Sequence, residues 1–135
     1  MTATKQTKYF EAVGRRKEAS VRARLTPATK TSYTVNDKAL KDYFTVETMA
    51  NIVTRPMTVA KGGEHFSVSF KARGGGVSAQ ADAAALALSR ALVKSDINLR
   101  KVLKSESLLS VDARQKERRK FGLKKARKSP QWSKR

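Results

Sequence analysis

Apolar side chains recur along this chain with two different periods. Over Ala19–Leu25 they alternate, with Ala19, Val21, Ala23 and Leu25 on one side and Ser20, Arg22 and Arg24 on the other. His65–Ala72 repeats the pattern, with Phe66, Val68, Phe70 and Ala72 against His65, Ser67, Ser69 and Lys71. A period of two belongs to a strand with one buried and one wetter face. Lys8–Val13 is expected as a further strand and Tyr33–Val35 as a short one, which makes a sheet of about four. GRRKE (14–18) reads as the loop between the first two strands, and Thr26-Pro27 ends the second.

From Val77 the period lengthens. Val77, Ala81, Ala84, Leu88 and Leu92 recur at three-to-four spacing, which predicts the longest helix of the chain. Its many alanines permit a close backbone approach to a sheet. Shorter helices are expected around it. One is capped by Asn36 or Asp37 and turns Ala39, Leu40, Tyr43 and Phe44 inward. Another is capped by Thr45, carries Val46, Met49, Ala50 and Val53, and stops at Pro56. A last one, capped by Ser95-Asp96, bears Leu99, Val102 and Leu103. The fold class is therefore α+β, a sheet with one face covered by helices and the other wetter.

Charge divides this pattern in two. The 135 residues contain 30 Lys or Arg and 11 Asp or Glu, a formal charge of +19. Residues 1–112 carry +9 of it and residues 113–135 carry +10, from eleven cations and one acid. The expected organisation is a flexible N-terminus (1–7), an α/β body (8–112) and an extended basic tail (113–135). Such a charge opposes compaction until a polyanion neutralises it, and nucleic acid is the leading partner. An anionic membrane is the second, but the tail shows no amphipathic face. The longest apolar run, Ala83–Leu88, is far too short to span a bilayer. With no cysteine, disulfides and thiolate metal sites are excluded. The opening MTATKQTK lacks an apolar signal core, so a cytoplasmic setting is expected, with an organelle leader remnant as the alternative.

Little here suggests catalysis. His65 is the only histidine, no thiol exists, and the carboxylates are scattered. No enzyme activity, cofactor, metal or small-molecule substrate is expected. Gly74-x-Gly76-x-x-Ala79 fits the loosest dinucleotide pattern, but no Gly-Lys-Ser/Thr accompanies it. Arg73, Gly74 and Gly75 read better as a tight strand-to-helix turn that also lets an RNA backbone come close. Arg15, Arg16 and Lys17 put three cations on one short loop, a compact phosphate contact or a solvated hairpin tip. Arg22 and Arg24, on the wetter sheet face, suit a phosphate-rich partner or protect a strand edge.

In the tail, no apolar face recurs between Leu123 and the end, and conformational entropy opposes folding of the free segment. Arg114, Arg118, Arg119, Arg127 and Arg135 are forked phosphate binders, and Lys120, Lys124, Lys125 and Lys128 add point charges. Trp132 supplies a ring that can stack on a base or sugar. A thin cationic strand can enter a crevice between RNA helices that excludes a globular domain. A generic nucleic-acid-binding or DNA-compacting protein is the alternative; it predicts comparable affinity for duplex DNA and ribosomal RNA.

Three blocks carry a resemblance: GRRKEASVRARL (14–25), KARGGGVSAQADAAALALSRAL (71–92) and DARQKERRKFGLKKARKSPQWSKR (112–135). In this order they resemble the family of bacterial-type small-subunit ribosomal protein nine. The resemblance implies the fold of the second domain of ribosomal protein five, a sheet backed by helices. It also implies binding to the 3′ major (head) domain of small-subunit rRNA, with neighbouring head proteins as partners. The tail would run toward the peptidyl site, where Ser133, Lys134 and Arg135 approach the anticodon stem-loop of tRNA. The sequence departs from the family pattern at Ala79, usually Gly, at Asp82, usually small, and at Trp132, usually Phe or Tyr.

Overall fold

Both alternating stretches form strands, and they lie side by side. The computed structural model describes residues 8–61 and 63–135; the flexible N-terminus expected at 1–7 lies outside them. Strand β1 (Phe10–Arg16) pairs antiparallel with β2 (Ala19–Pro27). Strand β3 (Ser32–Val35) is followed by a two-residue β4 (Lys38–Ala39). Strand β5 (Phe66–Arg73) inserts between β2, antiparallel, and β3, parallel. The order is β1-β2-β5-β3-β4, five strands where about four were expected. A parallel pair needs a crossover. Helices α1 (Leu40–Tyr43) and α2 (Glu47–Ala60) supply it.

Helix α3 (Val77–Ser95) lies against β1 and β2, α2 packs alongside α3, and α4 (Leu99–Ser105) packs on α2. The two predicted apolar rows, Ala19–Leu25 and Phe66–Ala72, are both buried in the core with Ala81, Ala84, Leu88 and Leu92. The helix comes so close that a Cβ at Gly14 would overlap the Ala83 carbonyl oxygen. Small residues on both partners are what this approach requires.

Several local expectations are corrected. Gly14, Arg15 and Arg16 belong to β1, so the loop shrinks to Lys17-Glu18, with Lys17 at φ 50°. Asn36 and Asp37, at φ 46° and 67°, do not cap a helix; they make the β3–β4 turn, the pattern two-residue hairpins favour. Ala39 is exposed, while Leu40 and Phe44 are buried. Helix α2 starts after Val46, whose side chain is exposed rather than inward, and no side chain caps it. Nor does Pro56 end α2. It stays in the helix with its ring fully buried, so packing outweighs the missing amide. Val77 and Val102 are about half exposed rather than inward. Asn98, not Ser95 or Asp96, is the residue before α4, and the Asp96 carboxylate instead accepts the Asn98 amide at 2.9 Å.

Candidate nucleic-acid interface

On the uncovered sheet face the strand register decides which polar side chains meet. Arg15 lies opposite Ser20, and Ser20 opposite Arg73; Val13 lies opposite Arg22, and Arg22 opposite Lys71. Together these six residues line a cleft of about 300 Å3. One step along, Glu11 takes Arg22 Nε on Oε1 at 3.2 Å and Arg24 Nε on Oε2 at 2.6 Å. The Arg24 guanidinium also sits 5.2 Å from the Tyr9 ring centre. The alternation places Lys71 outward without marking it as a contact. Its place beside Arg22 depends on β5 inserting next to β2, which no local pattern reveals.

The glycine turn is fixed from two sides. Gly74 and Gly75 have φ 69° and 65°, which favours glycine. Cβ atoms there would lie 2.6 Å from the Glu18 carbonyl oxygen and 2.8 Å from the Ala19 amide nitrogen. The turn thus packs on the β1–β2 hairpin. Gln80, missed in the sequence, holds it from the helix side: its Nε2 donates to the Gly74 carbonyl at 3.0 Å, and its Oε1 accepts the Tyr43 hydroxyl at 2.6 Å. After α3 the chain enters α4 rather than another strand, so the dinucleotide-binding βαβ unit is not formed.

Arg16 differs from its neighbours. Its side chain is 16% exposed and bridges Asp82 of α3, at 3.7 Å, and the Asp112 carboxylate. Arg114 closes the group, with Nε 3.0 Å and Nη2 2.7 Å from the Asp112 oxygens. These bonds, the Arg114 side chain and amide first and Arg16 after them, hold the Asp112 carboxyl well below the usual carboxylate range. Two of the predicted phosphate binders therefore also clasp the point where the basic segment leaves the body. Asp82 joins this clasp from α3.

Residues 113–135 form neither helix nor strand. Glu117, their one acid, takes Lys120 at 2.7 Å and Arg127 at 2.9 Å. Arg118, Arg119, Lys124, Lys125 and Lys128 are exposed, and among the described residues no acid pairs with them. Trp132 is 79% exposed, an unusual cost for so large a ring. Ser133, Lys134 and Arg135 are exposed at the end of the chain. Most of the predicted contacts thus fall into a cleft on the body, a clasp at Asp112 and the run of cations in 113–135, while Arg24 pairs with Glu11 beside the cleft and Gly74 and Gly75 form the turn. The structure does not gather them into one patch.

A family model described as Ribosomal protein S9/S16 matches residues 14–135. The chain is 47% identical over 126 residues to the small ribosomal subunit protein uS9 of Chlorobium chlorochromatii, covering 93% of this chain and 97% of that protein. It is 46% identical over 125 residues to the small ribosomal subunit protein uS9 of Saccharopolyspora erythraea, covering 93% and 81%. The matched span holds the GRRK stretch at the end of β1, the glycine turn with its helix, and the whole basic segment, and on these grounds the chain belongs to the ribosomal protein S9/S16 family.

Proposed function

We propose that this chain is a structural constituent of the small ribosomal subunit, binding the 3′ major (head) domain of its rRNA. In this reading residues 113–135 extend to the anticodon stem-loop of the peptidyl-site tRNA. One observation carries it: eleven cations and one acid, on a segment without helix or strand, inside the family match. Counterions released from RNA by these cations drive binding, and the shape of the RNA rather than its sequence sets the fit. Arg118, Arg119, Lys124, Lys125 and Lys128 reach phosphates, and Trp132 stacks on a base or sugar. Ser133, Lys134 and Arg135 contact tRNA through its backbone, which suits a site that must accept every tRNA. Neighbouring head proteins complete the surroundings, and the setting is a cytoplasmic ribosome. The body positions the tail; no step of chemistry is required of it.

The test is a chain lacking Ser133–Arg135. It should fold, enter small subunits and leave rRNA binding nearly intact, while peptidyl-site tRNA dissociates faster from those subunits. Unchanged tRNA dissociation would contradict the tRNA contact. Equal affinity of the full chain for duplex DNA and for the rRNA head domain would favour a generic nucleic-acid binder instead.

A further inference from the structure

The cleft on the open sheet face has a charge arrangement that folding alone disfavours. Arg22 and Lys71 stand directly opposite each other on β2 and β5. Like charges at opposed positions destabilise a sheet. The acid that comes near, Glu11, is shared between Arg22 and Arg24. Among the described residues, Arg15, Lys71 and Arg73 have no carboxylate partner, although all three line the same cleft. With strands about 4.8 Å apart, cations on β1, β2 and β5 span about 10 Å, room for more than one phosphate of a single strand. Val13 is the one apolar side chain in the lining, so the cleft has neither an aromatic platform for a base nor the apolar centre of a protein interface. Because every lining residue sits on a strand, the arrangement is held before any ligand arrives.

We propose that this cleft is an RNA-backbone site borne by the body, seating successive phosphates of one strand independently of residues 113–135. It rests on the rRNA reading above and adds Lys71 and a location to it. Arg22 exchanges Glu11 for phosphate on binding, and the bound phosphates relieve the repulsion between Arg22 and Lys71.

The experiment measures binding of the full chain to a transcript of the 3′ major domain of small-subunit rRNA over a salt series. The variants are Arg22→Gln/Lys71→Gln in the cleft and Lys124→Gln/Lys125→Gln in the tail. Each phosphate contact contributes about 0.7–0.9 to the slope of log K against log salt. The cleft pair should lower that slope by about 1.4–1.8 and weaken binding at least tenfold at low salt. Its effect should add to that of the tail pair, and the cleft variant should melt no lower than the parent. If the cleft variant does melt lower, Lys71→Gln alone serves, with a slope change of about 0.7–0.9. If the tail pair weakens binding while the cleft variants leave affinity and slope unchanged, the cleft proposal is overturned and the rRNA reading stands. RNA binding unchanged but small-subunit sedimentation lost in Lys71→Gln would overturn it too, in favour of an acidic protein segment. If the parent chain shows no preference for the transcript over duplex DNA, the rRNA reading itself has failed.

Discussion

At single residues, the same chemical types serve opposite ends. Arg15 and Arg16 are adjacent in sequence, yet one opens onto the cleft and the other is held by Asp82 and Asp112. Period-two alternation along β1 separates them, which follows once 14–16 is a strand rather than a loop. Gly14 is as constrained as any core residue, because the backbone of α3 occupies the place of its Cβ. Gly14→Ala should destabilise the protein by about 1–3 kcal/mol in urea unfolding, as overpacking of a tight contact does. Asp112 gives a pH test. Its carboxyl is held below the usual range, so its contribution is complete at neutral pH and is lost as the pH falls through and below that range. The Arg114 amide, which donates to Asp112 Oδ1 at 3.0 Å, should therefore lose hydrogen-exchange protection in acid, and in Asp112→Asn that protection should already be weaker at neutrality. An identical pH profile for both proteins would contradict the clasp.

Elements show what a pattern along the chain can reveal and what it cannot. The rows Ala19–Leu25, Phe66–Ala72 and Ala81–Leu92 were legible because each buries one continuous face, and burial is what period reports. Two errors came from local rules overridden by tertiary contacts. Pro56 remains helical because its ring is packed in the core. Asn36 resembles a cap, but its Nδ2 donates to the Ala72 carbonyl and its Oδ1 accepts the Ala72 amide, at 3.1 and 3.0 Å. It thus extends the β3–β5 pairing by side chain, across a sequence gap no local signal spans. Asn36→Ala breaks both bonds and keeps the positive φ, so a loss of about 1–3 kcal/mol is expected in thermal or urea unfolding. The candidate cations can be listed from the sequence alone. Their grouping cannot, since Arg22 meets Lys71 only through strand order. The basic segment was the clearest feature of all, because charge and the lack of an apolar period need no fold to be read. In the free full chain, backbone amides of 129–135 should show random-coil shifts by NMR; dispersed shifts would mean a structure independent of RNA.

Across the whole molecule, the positive charge is divided nearly equally between 112 residues and 23, +9 and +10. The larger part has a core of its own and can fold against its modest charge. The smaller part forms neither helix nor strand, and in the proposed reading its counter-charge comes from RNA. The body's clasp on Asp112 sets where that segment departs, and in the sheet cleft Arg15, Lys71 and Arg73 have no acid partner among the described residues. This division predicts that folding and RNA binding respond differently to salt: added salt should leave the body folded while it releases the RNA. The most direct measurement of the central claim is the affinity of the full chain for the rRNA head-domain transcript at 50 and 200 mM salt. With about six to ten phosphate contacts, the affinity should fall by about 10³–10⁵ between the two while the far-ultraviolet circular dichroism stays constant. An affinity that barely changes over this range would contradict a segment that takes its shape from the polyanion.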